Sequence, residues 1–203
     1  MRTVTETITT NVYTFDELSD EAKEKVVDEA RYSVMETSVD ELVDCMKTAM
    51  DKMGITINDY EISVDGSGYI SLSVEGENDE LEGARAYAYI VNNFFEGANK
   101  KKFVYKDLGV NSRSRISHLD RKDWMDNCPF SGLCYDDAVK DAWDSWCYDL
   151  RNGESPTIGD FLRNLECAYL REVEREYYGF SEGDAREYAE ANGYEFLEDG
   201  TIY

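Results

Sequence analysis

The chain has 203 residues, 44 of them acidic and 21 basic, for a formal net charge of -23. A field of that sign repels free DNA, RNA and anionic lipid, which excludes the classes that bind them by charge, and it attracts proteins that present cationic grooves. With 42% hydrophobic residues, 13% aromatic residues and two prolines, the chain lacks the aromatic-poor composition of a disordered acidic tail, so a folded core is expected.

Residues 2–13 alternate Thr with Val4, Ile8, Val12 and Tyr13 and predict an N-terminal strand. Thr14-Phe15-Asp16-Glu17 has the spacing of a capping box and predicts a turn of helix. Ser19 is a second N-cap, followed by Ala22, Val26, Ala30 and Val34 at helical spacing, and a further helix is expected from about Val39 to Met53, closed by Gly54. Tyr60-Ile62-Val64 and Ile70-Leu72-Val74, joined by Asp65-Gly66-Ser67-Gly68, read as a hairpin with one wet face. A helical pattern resumes from Asp79 to about Phe95.

Eight of the 21 bases then fall in one island: Lys100, Lys101, Lys102, Lys106, Arg113, Arg115, Arg121 and Lys122. It holds a short strand candidate at Lys102 to Tyr105 and a loop at Gly109 to Ser117. Residues 123–134 read as irregular. Helices are expected at Asp136 to about Leu150, with Val139, Ala142, Trp143 and Trp146 inward, at Ile158 to Tyr178, and at Ser181 to Ala191. Tyr194 to Tyr203 reads as a terminal hairpin with a type I′ turn at Asp199-Gly200. The expected class is α+β: mostly helical, with an N-terminal strand, a central hairpin and a C-terminal hairpin. The chain reads as one acidic domain, divisible into a lobe at 1–99, a basic loop at 100–122 and a helical lobe at 123–203.

Met1-Arg2-Thr3-Val4-Thr5-Glu6 has no apolar signal core, and no run approaches the ~20 apolar residues of a membrane span, so a soluble protein of the bacterial cytoplasm is expected. Cys45, Cys128, Cys134, Cys147 and Cys167 are an odd number without a small-scaffold spacing, which predicts reduced thiols.

Tyr13-Thr14-Phe15-Asp16-Glu17-Leu18-Ser19-Asp20-Glu21-Ala22-Lys23-Glu24-Lys25 resembles the opening of a family of small phage and prophage accessory proteins, loosely labelled antitoxin-like. Ala191-Asn192-Gly193-Tyr194-Glu195-Phe196-Leu197-Glu198-Asp199-Gly200 is similar to that family's closing segment. The resemblance covers about 25 residues. It implies a phage accessory gene and supplies no catalytic motif. In that setting an acidic protein can disarm a host defence by occupying the cationic groove of a nuclease, restriction enzyme or CRISPR effector, as an anti-CRISPR would.

Carboxylates at i and i+4 on a helix stand ~6 Å apart along its axis, and each DNA strand carries a charge every ~3.4 Å, so an acidic helical face can approximate a phosphate row. The candidate partner-binding acids are Asp16, Glu17, Asp20, Glu21, Glu24 and Asp28, and around the central hairpin Asp65, Glu75, Glu77, Asp79, Glu80 and Glu82. Against this stands the plain alternative that they form a solvated surface. The basic island either reaches nucleic acid held by the target or folds back on the protein's own acidic surface and relieves repulsion; the shortage of aromatics beyond Phe103, Tyr105 and Trp124 argues against a stacking platform and favours an intramolecular or partner-rim role.

Cys128, Cys134, Cys147 and the single histidine, His118, lack metal-knuckle spacing and a nucleophile signature, and no phosphate loop, EF-hand or H-E-x-x-H motif is present. The expectation is a non-enzymatic protein without metal or cofactor that inhibits a host nuclease or CRISPR effector. It is not expected to bind free nucleic acid or membrane. The alternative is an antitoxin-like neutraliser or regulatory adaptor for a host protein that is not a nuclease.

Overall fold

The computed structural model describes residues 9–76, 78–95, 128, 130–132 and 134–203. The basic island, the strand candidate within it, His118, Glu77 and the first eight residues lie outside this set. In chain order the elements are α1 (Asp20–Met53), β1 (Thr56–Ile62), β2 (Gly68–Ser73), α2 (Gly83–Tyr89), α3 (Asp137–Arg151), α4 (Ile158–Gly179) and α5 (Glu182–Asn192). Short 3-10 turns stand at Phe15–Glu17, Asn78–Glu80 and Cys134–Asp136, and α2 continues into a π-helical turn at Ile90–Phe94. The described protein is mostly helical with one antiparallel hairpin.

Residues expected to form two helices form the single α1. Ser19 starts it, accepting the Ala22 N–H on its Oγ at 3.2 Å. No glycine or proline interrupts the chain before Gly54, which ends the helix at φ +68 while the Ile55 N–H returns to the Met50 carbonyl at 2.9 Å. The sequence suggests two helices because the apolar stripe changes face: Ala22, Val26 and Ala30 are buried in the first half, Leu42, Met46, Ala49 and Met53 in the second. At about 100° per residue these stripes lie on roughly opposite faces of one helix.

The chain forms two compact units, 1–36 with 176–203, and 37–175. Their boundaries do not coincide with the division at 100–122 expected from the sequence. In the first unit Phe15, Leu18, Ala22, Val26 and Ala30 pack with Ala185 and Ala189 of α5 and with Phe196. Ser181 caps α5: its N–H and hydroxyl both donate to Asp184 Oδ2, at 2.7 and 2.6 Å, and its Oγ accepts the Asp184 N–H at 3.4 Å.

The expected terminal strands are absent among the described residues. Tyr13 and Phe196 exchange one pair of N–H···O bonds, each 2.9 Å, and Phe196 makes one further bridge to Ile202. Alternation in these stretches sets which side chains turn inward, but each segment pairs at single residues and builds no ladder. The Asp199-Gly200 turn is not type I′ either. That type needs positive φ at both central residues, and among the described non-glycine residues only Cys128 has positive φ. Gly200 N–H instead returns to the Leu197 carbonyl at 3.0 Å, with Gly200 itself at φ +82.

The hairpin of the second unit uses the same device. Gly66 N–H returns to the Ser63 carbonyl at 3.0 Å, with Gly66 at φ +80, and the Asp65 carboxylate accepts the Ser67 N–H at 3.0 Å, as Asp199 accepts that of Thr201 at 3.0 Å. Both glycines lie flat on helix backbone. A Cβ on Gly66 would stand 2.7 Å from the Glu174 amide nitrogen of α4, and one on Gly200 would stand 2.7 Å from the Ala22 carbonyl oxygen of α1. In the sheet, Ile70 and Leu72 turn to the core, while a register shift between Ile57 and Asp59 places Asn58 in a bulge. Glu166 of α4 accepts the Leu72 N–H at 2.9 Å and so satisfies an edge donor of β2.

The core of the second unit is aromatic. Trp143 and Trp146 stack with ring centroids 5.5 Å apart, Phe95 meets Trp143 edge-on at 5.1 Å, and Phe94 stacks on Phe161 at 5.8 Å. Such pairs contribute about 0.5–1.5 kcal/mol each beyond area burial. Trp146 Nε1 donates to the Thr157 carbonyl at 2.8 Å. Asp136 is also buried; its carboxylate accepts the N–H groups of Phe130 and Ser131 and the Ser131 hydroxyl, at 2.6, 2.8 and 2.6 Å. That carboxylate ties residues 130–131 to the start of α3.

Candidate functional site

The sequence-predicted acids fall into three structural kinds. Some are consumed locally. Glu17 accepts the Thr14 N–H and hydroxyl at 2.8 and 2.9 Å, and these bonds, the backbone one foremost, hold its carboxyl below the usual value. Asp65 is held low in the same way by the Ser67 hydroxyl and N–H. A second group is paired with the protein's own cations: Asp16 with Arg186 at 2.8 Å, and Asp28 with Arg31 at 2.8 Å.

The third kind is unpaired among the described residues. Asp20, Glu21 and Glu24 at the start of α1 are exposed and carry no ion pair within 4 Å, as do Glu75, Asp79, Glu80 and Glu82 after the hairpin. Asp20, Glu24 and Asp28 follow one another at i+4 along α1 and, with Glu182 of α5, line a groove of about 400 Å³ in the first unit. Val27 lies in the same groove, and Lys23 and Arg31 stand at it, so it retains net negative charge. At the groove, Arg31 lies 5.3 Å from the Tyr177 ring centroid, and Tyr32, which continues the row at i+4 from Asp28, is 55% exposed.

The acids after the hairpin are fixed by backbone pairing. Asn78 Nδ2 donates to the Glu75 carbonyl at 2.6 Å, the Gly83 N–H donates to the Pro156 carbonyl at 3.0 Å, and the Ile158 N–H donates to the Leu81 carbonyl at 3.0 Å. The last two bonds pin Leu81, Glu82 and Gly83 to the start of α4. The N-cap of α4 is itself a reciprocal box, in which Asp160 accepts the Thr157 N–H and hydroxyl and Thr157 Oγ1 accepts the Asp160 N–H.

Sequence reasoning missed a second groove, of about 360 Å³, within the second unit. Val39 and Val43 of α1 and Ile62 of β1 form its apolar part, Asp40 and Asp44 stand on its rim, and Lys47 Nζ sits 5.3 Å from the Tyr60 ring centroid. The available signal was Asp40, Asp44 and Lys47 repeating at helical spacing, on a segment read chiefly for its inward residues.

The two buried thiols, Cys45 and Cys147, show no activation. Burial pushes the Cys147 thiol far up, and it raises Cys45 against a hydrogen bond with Ser131 that lowers it, the reverse of what a nucleophilic thiolate needs. Among the described residues no three His, Cys, Asp or Glu side chains are grouped to hold a metal ion, and no helix is long and apolar enough to cross a membrane. No family model, curated protein or solved structure matches the chain.

Proposed function

We propose that this protein is a non-enzymatic, phage-encoded anti-defence inhibitor. It offers a rigid acidic surface to the cationic nucleic-acid groove of a host nuclease or CRISPR effector and blocks engagement of DNA or guide RNA. The observation that carries the reading is the exposed row Asp20, Glu24 and Asp28 on a capped helix, of which Asp20 and Glu24 have no ion pair among the described residues. Carboxylates about 6 Å apart match roughly every second phosphate of one DNA strand. The exposed Tyr32, which continues the row at i+4, is suited to anchor the complex, while charge governs encounter.

The test begins with the tagged protein retained on a support and a lysate of a defence-bearing host. The retained nuclease is purified and titrated with the inhibitor and a duplex of its own substrate. Mutually exclusive binding, with an association rate falling roughly tenfold or more as salt rises, supports the proposal. A ternary complex with unperturbed DNA affinity overturns it. Retention of a partner that lacks a nucleic-acid groove favours the adaptor alternative.

A further inference from the structure

We infer that the groove between the second half of α1 and β1 is a receptor for an arginine side chain on a basic segment of the partner protein. Lys47 is its intramolecular placeholder. The inference rests on the proposal above that the partner surface is cationic, and it names where one such cation docks.

Three features fit a long cationic side chain. The apolar part, Val39, Val43 and Ile62, suits an alkyl stem. The Tyr60 ring, 36% exposed, offers a face to a flat cation. Asp40 and Asp44, one helical turn apart on the rim, have no ion pair within 4 Å among the described residues, so both can accept hydrogen bonds from a guanidinium fork. Each feature alone is ordinary surface. Together they form an amphipathic slot with negative rim and aromatic wall.

The chain itself shows which charge the slot holds. The Lys47 ammonium is 5.3 Å from the Tyr60 ring centroid, and its pKa is raised, first by a hydrogen bond with the Tyr60 hydroxyl and to a lesser degree by the charges of Asp44 and Asp40, against the opposing effect of burial. Lys47 lines the same groove as the two aspartates, and its ammonium makes no ion pair within 4 Å with either among the described residues. An incoming arginine competes with it for the ring and adds the fork that an ammonium lacks. Lys47 then acts against visitors that bring no such fork, a built-in competitor that sharpens selection.

The experiment uses the full chain with isotope-labelled methyl groups and the capped peptide acetyl-Ala-Arg-Ala-Ala-Arg-Ala-amide, with the same peptide carrying citrulline for arginine as control. Saturable shifts at the Val39, Val43 and Ile62 methyls with arginine and none with citrulline are expected. Asp40→Asn/Asp44→Asn should weaken binding at least about fivefold, and Lys47→Ala should tighten it about twofold or more. Both changes lie on the exposed side of α1, and circular dichroism checks that the helix persists. Shifts confined to the Val27 region, or weaker binding in Lys47→Ala, overturn the inference. The two proposals fail separately. If Asp40→Asn/Asp44→Asn binds the captured nuclease as the parent does, the slot is refuted while groove occupancy stands. If the peptide binds as expected but no nuclease competes with DNA, the slot stands and the functional reading falls.

Discussion

Replacing Gly66 by alanine should cost the second unit considerably more than replacing Gly54, although both glycines have left-handed backbone, at φ +80 and +68. An L-residue in that region costs about 1–2 kcal/mol, partly offset by about 0.4–1 kcal/mol because alanine restricts the unfolded chain. Gly54→Ala meets nothing within 4 Å and should show only that difference, about 1 kcal/mol. Gly66→Ala places its Cβ 2.7 Å from the Glu174 amide nitrogen and 2.8 Å from the Leu170 carbonyl oxygen, both backbone atoms of α4 that cannot swing away. The hairpin tip must lift, adding about 1–3 kcal/mol of the kind seen on overpacking, for a total of about 2–4 kcal/mol. Urea unfolding followed by the fluorescence of Trp143 and Trp146, both in the same unit, reads the two variants side by side. Equal midpoints for the two would refute the close contact of hairpin and α4.

Asp136→Asn leaves one acceptor oxygen for donors that now use both carboxylate oxygens and turns an amide N–H₂ toward an N–H, so a loss of about 2–4 kcal/mol in thermal or urea unfolding is expected. A change under about 0.5 kcal/mol would contradict the buried anchor. Thr157→Ala should cost about 1 kcal/mol at neutral pH. Burial raises the Asp160 carboxyl, but the Thr157 bonds and Arg163 outweigh it and hold it below its ordinary 3.8; its contribution is therefore present above about pH 4 and lost as pH falls through the depressed value. The variant's deficit should shrink over that acid range, and a deficit independent of pH would refute the linkage. Ellman's reagent should label exposed Cys167 in the native protein and reach buried Cys45 and Cys147 only on unfolding; rapid native labelling of all three would contradict the packing.

Much of the helical half was legible because its signals are local and agree with one another. Ile158, Phe161, Leu162, Leu165, Tyr169 and Val173 repeat on one face of α4, all are buried, and the Thr157-x-x-Asp160 box fixes where that helix starts. The hairpin was legible from alternation around Asp65-Gly66. The continuity of α1 was not, because its apolar stripe crosses to the opposite face after Ala30 and a one-face reading breaks the helix there. The terminal strands failed for a related reason: alternation at Tyr13 and Phe196 reports burial, while a ladder needs successive partners that these short segments do not have. At the candidate site, charge count gave the sign of the surface. It could not separate Glu17 and Asp65, spent on local hydrogen bonds, from Asp20 and Glu24, and it passed over Asp40, Asp44 and Tyr60, which only the packing of β1 beside α1 brings together.

The most direct test of the account is the association rate between the captured nuclease and the variant Asp20→Asn/Glu24→Gln, measured by stopped flow at low and high salt. The account predicts a slower association than the parent at low salt, by roughly tenfold, with the two rates converging as salt screens the field. Equal rates for parent and variant at low salt would contradict it.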